Sequence, residues 1–99
     1  MSKHIVFSEG RIRLCGILDG SLAMEVVNRL RDQGNREIVL DFSEVEGFEA
    51  FGVEVLLRQL RDPGRPGSRV RCCGLPPCLA ERVREAGIAV ALSPRHQAP

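Results

Sequence analysis

Hydrophobic and polar positions repeat with two different periods along this chain, and the periods divide it into strands and helices. Alternating positions and short apolar runs predict five strands, of which the first two are close enough to form a hairpin. Apolar residues spaced by three and four positions predict three helices. The predicted order is β-β-α-β-α-β-α-β. Helices that alternate with strands favour parallel pairing, so we expect an α/β fold with a small, mostly parallel sheet and an N-terminal β-hairpin.

The third predicted strand, with the sequence REIVLDF, differs from the others in its continuous apolar run. Such a run is typical of a strand that is buried on both faces, in the middle of a parallel sheet. We expect this strand to end at Phe42 and to be followed by a turn that contains Ser43. Binding surfaces of parallel sheets gather at the carboxyl ends of the strands, where we expect three loops to meet, at 19–21, 43–51 and 74–77.

Each predicted helix has an apolar stripe that identifies its core face. The first helix follows Asp19 and Ser21, either of which can cap it, and it ends at Gly34. The third opens at the proline pair 76–77 and closes at Gly87. The three stripes consist of Ala23, Val26, Val27 and Leu30, of Val53, Leu56, Leu57 and Leu60, and of Leu79, Val83 and Ala86.

The second helix also has apolar residues on the face opposite its core stripe. A helix advances about 100° per residue, which places Phe51 and Val55 each about 160° from Val53, on opposite sides. We therefore expect both side chains to point away from the core. An exposed aromatic residue at the carboxyl end of a strand indicates an anchor for a protein partner. The alternative is that Phe51 folds back over Phe48 or over the preceding loop.

Length and composition narrow the classes of protein to which the chain can belong. It has 99 residues and a formal net charge of +1, and we expect one domain at 1–92 with a flexible tail at 93–99. This charge and the absence of Trp and Tyr give no reason to expect nucleic acid or an anionic membrane surface as a partner. The sequence lacks a membrane-spanning apolar run and an N-terminal signal peptide, so we expect the protein in the cytoplasm.

Residues that could bind a metal are few and scattered. The spacing within CCGLPPC does not match a zinc site, and the two histidines lie near opposite ends of the chain, so we expect no metal. In the cytoplasm the cysteines are expected to be thiols. Cys78 falls in the first turn of a predicted helix, and we interpret it as a small, partly buried apolar residue. The four cysteines are Cys15, Cys72, Cys73 and Cys78.

The acidic residues do not form a recognisable catalytic set. Asp19, Asp41 and Glu49 lie near the same end of the predicted fold, with no histidine beside them. We interpret Asp19 as a helix cap and Asp41 as an acceptor that orients a loop. No glycine-rich loop with a phosphate-binding lysine is present. We therefore expect neither an enzyme nor a bound cofactor.

Three segments resemble the STAS family, the anti-sigma factor antagonist-like domains, over roughly residues 5–92. In that family a strand ends in Asp, and Asp-Ser-Ser-Gly then leads into an apolar helix; Asp41 and Gly52 match this pattern. The resemblance implies a STAS-like fold and a role in signal transduction and transcription regulation. It also implies that the unphosphorylated domain binds an anti-sigma factor, often a serine kinase. The three segments are LCGILDG, IVLDFSEVEGFEAFGVEVLLRQL and VRCCGLPPCLAERVREAGI.

The sequence departs from the family at the residues that carry the phosphorylation switch. Glu49 stands at the Asp position, Ala50 at the first serine, and Phe51 at the serine that the family phosphorylates. Phenylalanine has no hydroxyl group, so no phosphorylation is expected at the family position. Ser43 is expected at the same end of the fold and could be modified instead, although a turn residue is the simpler interpretation.

The resemblance and the residues together predict a protein–protein interaction module. The expected partner is an anti-sigma factor or a serine kinase-like protein. The alternative is an accessory STAS subunit that binds the cytoplasmic subunits of an ABC-type lipid transporter, without inserting into the membrane itself. A weak homodimer is a further expectation. The residues expected to contact a partner are Asp19, Ser21, Ser43, Phe48, Glu49, Ala50, Phe51, Gly52 and Val55.

Overall fold

The computed structural model describes residues 3–34, 36–61 and 69–90 of the chain. The expected domain boundary at 92 and the expected tail at 93–99 lie outside these residues. Within these ranges, no helix is both long enough and apolar enough to cross a membrane. The strands are β1 (His4–Ser8), β2 (Arg11–Leu18), β3 (Glu37–Phe48), β4 (Arg69–Cys73) and β5 (Ala89–Val90), and the helices are α1 (Gly20–Arg31), α2 (Ala50–Arg61) and α3 (Pro77–Glu85).

The five strands form one sheet in the order β1-β2-β3-β4-β5. β1 and β2 pair in antiparallel fashion as the expected hairpin, and every later pair is parallel. Gly10 makes the tight turn of the hairpin with a φ of 75°, in a region that favours glycine. The expected α/β fold with a mostly parallel sheet is confirmed.

The helices cover one face of the sheet. Buried side chains of β2 and β3, such as Ile12 and Leu40, form a single hydrophobic cluster with the stripes of all three helices. The predicted stripes are confirmed, with Leu60 and Ala86 at the margin of the cluster. Val39 points to the other face and is only half-buried. The expected burial of this strand on both faces is therefore wrong at Val39, because the helices pack on the opposite face.

The edge strand β1 closes the core beside α1. Phe7 lies opposite the buried Ile12 in the antiparallel ladder, and so it shares the helix-covered face of the sheet. The guanidinium carbon of Arg29 lies 5.5 Å from the centre of the Phe7 ring, a cation–π contact that covers part of the ring. This contact leaves Phe7 40% exposed on the β1 side of α1.

β3 extends past its expected end because it contains two irregularities in its pairing with β2. Arg13 pairs with Asp41 and Cys15 with Glu44, so β3 takes one extra residue within this step. A second extra residue lies between Val45 and Gly47. A bulge bends a strand and keeps it paired, and periodicity does not reveal it. The strand therefore runs through Ser43, and the expected turn at that residue is wrong.

The buried carboxylate of Asp41 holds the first of these bulges. Its Oδ1 accepts a hydrogen bond from the amide of Ser43 at 2.9 Å. Its Oδ2 accepts one from Nη1 of Arg11 at 2.9 Å and lies 3.6 Å from Nε of Arg13. Burial alone raises the pKa of Asp41, but the hydrogen bonds from Ser43 and the charges of the two arginines outweigh it and lower the pKa. Asp41 is thus an acceptor that orients the backbone of a strand.

We expect Asp41→Asn to destabilise the fold by about 1–3 kcal/mol at neutral pH, because the arginines lose their charged acceptor. The folded-state pKa lies below the unfolded value of about 3.9, so the stabilisation is complete above that pH and disappears as the pH falls through the folded pKa. Urea unfolding between neutral pH and about pH 2 measures both effects. The variant should show a shallower loss of stability below about pH 4. Equal stability and an equal slope would contradict this role.

Candidate functional site

Two chain reversals lie side by side where β2 and β3 end. Leu18 and Phe48, the last residues of the two strands, pair with each other. The amide of Glu49 donates a hydrogen bond to the carbonyl oxygen of Leu18 at 3.0 Å, which fixes the start of α2 to the end of β2. The first turns of α1 and α2 therefore form one continuous surface.

Asp19 caps α1, as the sequence predicts. Its Oδ1 accepts hydrogen bonds from the amide of Leu22 at 2.9 Å and from Oγ of Ser21 at 3.2 Å, and its Oδ2 pairs with the ammonium group of Lys3. The Lys3 hydrogen bond is the largest effect, and with the Leu22 amide it lowers the pKa of Asp19 to about 2. Asp19 is thus ionised at neutral pH, and its charge is used to cap the helix.

Gly52 allows α2 to begin against the backbone of the β2–α1 junction. A Cβ atom at this position would lie 2.5 Å from the carbonyl oxygen of Leu18 and 2.7 Å from Cα of Asp19. Contacts this short do not occur for real side chains, so any other residue would push α2 away from the sheet. The close approach explains why a glycine stands in the first turn of an otherwise apolar helix.

Phe51 points outward, as the wheel geometry predicts, and it is 71% exposed. Its ring lies over the backbone of Gly20, the first residue of α1. A Cβ atom on Gly20 would lie 2.7 Å from Cε2 of Phe51 and 2.9 Å from Cδ2. The alternative, in which Phe51 folds back over Phe48 or over the preceding loop, is therefore wrong, because the ring lies over Gly20 and stays mostly exposed. Phe48 is half-buried, and its ring centre lies 6.5 Å from that of Phe42.

Two further apolar residues lie one helical turn beyond Gly20 and Phe51, respectively. Met24 is 40% exposed and lies one turn after Gly20 on the same face of α1. Helical side chains lean toward the preceding turn, which brings Met24 toward the Phe51 ring. Val55 lies one turn after Phe51, but it is half-buried and packs against the core, so its expected outward position is only partly correct. We call Gly20, Met24, Phe51 and Val55 the Phe51 surface.

Gly20 and Met24 are members of this surface that were not expected from the sequence. The signal for Met24 is present in the sequence, because the residue lies outside the core stripe of its helix. Its position next to Phe51 depends on how α1 and α2 pack together, which periodicity within one helix does not specify. Gly20 gave only a turn signal, although its lack of a side chain makes room for the Phe51 ring.

Ser43 does not join this surface. It precedes Phe48 by five residues on a strand with two bulges, and by the pairing with β2 the separation is about four regular steps, or about 13 Å. Gly74, with a φ of 75°, packs against Ser43 instead, since a Cβ on Gly74 would lie 2.7 Å from the Ser43 amide nitrogen. The expected meeting of three loops is therefore wrong for the loop at 74–77, because β3 continues past the end of β4. Glu49, Ala50 and Ser21 are exposed.

The cysteines are separate from this site. All four are free thiols. Burial raises the pKa of Cys72 to about 12, and burial together with the Asp41 carboxylate raises the pKa of Cys73. Cys78 lies in the first turn of α3 but is exposed, so its expected partial burial is wrong. Among the residues that the structure describes, no group of three or more metal-binding side chains is found.

Comparison with known proteins identifies both a family and a fold. A family model described as "Mlab, STAS domain" matches residues 1–93. No curated protein sequence matches the chain. Among solved structures, the anti-sigma factor antagonist SpoIIAA in its unphosphorylated form is 14% identical with a TM-score of 0.62, and the match covers 97% of this chain and 93% of that chain.

Two further solved structures have the same fold. A serine-to-glutamate variant of RsbS from Moorella thermoacetica is 20% identical with a TM-score of 0.57, and the match covers 96% of this chain and 90% of that one. A component of the stressosome, described as a signal integration and transduction hub, is also 20% identical, with a TM-score of 0.55 and coverage of 93% and 90%.

Two glycine-to-alanine substitutions test the close approaches at Gly52 and Gly20 through their different effects on stability. We expect Gly52→Ala to lower the free energy of unfolding by about 1–3 kcal/mol, because its Cβ meets backbone atoms that cannot move aside. Gly20→Ala should change stability by less than about 1 kcal/mol, because the exposed Phe51 ring can swing away and alanine favours a helix. Urea unfolding compares the two variants. Equal effects on stability would show that the close approach at Gly52 is misplaced.

Proposed function

The chain belongs to the STAS domain family, and on this basis we propose that it is a non-catalytic module that binds another protein through the Phe51 surface. The observation that carries the proposal is the exposure of Phe51. A phenylalanine that is 71% exposed keeps most of its apolar area in water. Transfer of this area into a partner's pocket is favourable, and aromatic residues are frequent anchors in protein interfaces.

The backbone that carries Phe51 is fixed before any partner binds. The Phe51 ring lies over Gly20 at the start of α1, and the start of α2 is fixed by the close approach of Gly52 to the β2–α1 junction. An anchor that is already ordered loses less conformational entropy on binding. We propose that the rim of the contact is formed by Asp19, Ser21, Phe48, Glu49, Ala50 and Val55. The expected contacts of Gly52 and Ser43 are not proposed, because Gly52 is buried against the β2–α1 junction and Ser43 packs against Gly74.

We propose that this protein lacks the serine switch that its family resemblance implies. A phosphate group on a serine adds a charge of about −1.5 to −2, which opposes desolvation of an interface. Phe51 stands at that position and keeps it apolar under all conditions. Binding would then be controlled by the concentrations of the partner and of this chain, and not by phosphorylation at residue 51.

We propose binding and not catalysis because the acids at this end already have structural tasks. Asp19 caps α1 and pairs with Lys3. Asp41 holds a strand bulge together with Arg11. A catalytic acid or base needs a carboxyl group that is directed at a substrate.

The proposed partner is an anti-sigma factor or a serine kinase-like protein, in line with the description of SpoIIAA as an anti-sigma factor antagonist. Transporter subunits are the other partner class that the family resemblance implies. Affinity capture from the native soluble lysate and from detergent-solubilised membranes, with identification by mass spectrometry, distinguishes the two classes. A soluble kinase-like protein supports the first class, and ABC transporter subunits support the second.

We expect Phe51→Asp to weaken binding of the identified partner by at least about 30-fold, because a charge replaces a central apolar anchor. Isothermal titration calorimetry with the purified partner measures the change. The matched control is Phe7→Asp, which replaces an exposed phenylalanine on the β1 side of α1 and should leave the affinity within about twofold. Circular dichroism checks that both variants fold. Equal affinity of Phe51→Asp and the native protein would refute the proposed surface.

A further inference from the structure

Two exposed apolar residues lie side by side in the edge strand β1, on opposite faces of the sheet. Val6 is 45% exposed and lies opposite Arg13, so it points to the face that the helices leave open. Phe7 is 40% exposed and points to the helix-covered face, opposite Ile12. A helix or a folded surface that packs on one face of the sheet would cover only one of these side chains. A strand added beside β1 would have neighbours for both.

The outer edge of β1 also has backbone groups that are available for pairing, because β1 is the first strand of the sheet. The carbonyl oxygen of Gly10, just before β2, accepts a hydrogen bond from β3 at 2.9 Å. Successive residues of a strand direct their backbone groups to opposite sides, so Arg13 directs its groups toward β1, where it faces Val6. Ile5 and Phe7, on either side of Val6, therefore direct their amide and carbonyl groups away from β2.

β1 lacks the charges, prolines and bulges that usually protect an edge strand from pairing. Its sequence HIVFS contains no lysine, no acidic residue and no proline. Its register with β2 is regular over all five residues. An edge of this kind, with apolar side chains on both faces, is a template for a further strand, and many proteins bind extended segments in this way.

A positive charge beside this edge selects the kind of strand that fits. The guanidinium carbon of Arg29 lies 5.5 Å from the centre of the Phe7 ring. Among the described residues, none of the ion pairs includes Arg29. A glutamate opposite Phe7 in an added strand would reach the guanidinium with its carboxylate, while its methylene groups cover the exposed part of the ring. The edge is therefore complementary in charge to an acidic strand.

We propose that β1 binds an extended segment of a partner protein, which adds to the sheet as an outer strand and places an acidic residue opposite Phe7. The acidic side chain pairs with Arg29, and the apolar residues on either side of it point to the open face and cover Val6. This site is separate from the Phe51 surface, because it lies on the β1 side of α1 and uses backbone groups. Both sites can therefore be occupied at the same time.

A synthetic peptide with capped ends and the sequence TVEVT tests this site. Its central glutamate has a valine on either side, so it fits β1 in both strand directions. Hydrogen exchange of the native chain is followed by nuclear magnetic resonance with and without excess peptide. The outward amides of Ile5 and Phe7 should exchange at least about tenfold more slowly with the peptide, because they gain acceptors. The amides of Val6 and Ser8, which already face β2, should change little.

A charge swap tests the role of Arg29. Arg29→Glu should weaken binding of TVEVT about tenfold or more and strengthen binding of the peptide TVKVT by a similar factor, because the ion pair is reversed. A TVEVT peptide with an N-methylated glutamate keeps its side chain but loses a backbone donor, and it should bind at least about tenfold more weakly. Arg84→Glu, in the last turn of α3, and Phe51→Asp are the matched controls and should leave the affinity for TVEVT within about twofold. Thermal unfolding verifies that each variant is folded.

Four results would overturn the inference. The first is an unchanged exchange rate of Ile5 and Phe7 with the peptide. The second is protection of these amides without peptide, which would show that this chain or a second copy already covers the edge. The third is a peptide preference that Arg29→Glu does not reverse, and the fourth is loss of TVEVT binding in Phe51→Asp. None of the first three results bears on the proposed function, which concerns a different surface.

Discussion

The close approach of Gly52 to the carbonyl oxygen of Leu18 determines how the functional end of this protein is built. A single additional carbon at Gly52 would overlap with the β2–α1 junction. Because none is present, α2 begins against the end of β2, and the amide of Glu49 donates to Leu18. The core stripe of α2 then faces the sheet. Phe51 lies on the opposite face of the helix and points outward, over Gly20. One backbone contact thus presents an aromatic ring to solvent.

That arrangement changes how residue 51 acts, relative to what the family resemblance implies. A serine at the start of this helix offers a hydroxyl group that can gain or lose a phosphate. A phenylalanine in the same place offers apolar area that does not change with cellular chemistry. The backbone framework of the STAS fold is retained. Under the proposed function, the site is controlled by whether a partner occupies it and not by covalent modification. An exposed ring of this size is also a risk of non-specific association.

Much of this fold is predictable from the sequence, because apolar residues recur with a regular period along most of its helices and strands. The order of strands and helices, the three core stripes and the outward direction of Phe51 all follow from spacings within single elements. The bulges of β3 do not, because they depend on the carboxylate of Asp41 binding the amide of Ser43 across an irregular ladder. Met24 was not predicted as part of the Phe51 surface for a related reason, because its place there depends on how α1 and α2 pack side by side. Contacts between elements, and not the elements themselves, are what the sequence pattern left undetermined.

The most direct test of the central claim is to locate the binding surface on the folded protein by nuclear magnetic resonance. Backbone amides of isotopically labelled protein are followed while the purified partner is added. If the partner binds through the Phe51 surface, the shifted amides should cluster at 19–24 and 48–58, around the Phe51 ring. Shifts confined to the open face of the sheet, around Arg13, Val39 and Arg71, would contradict it.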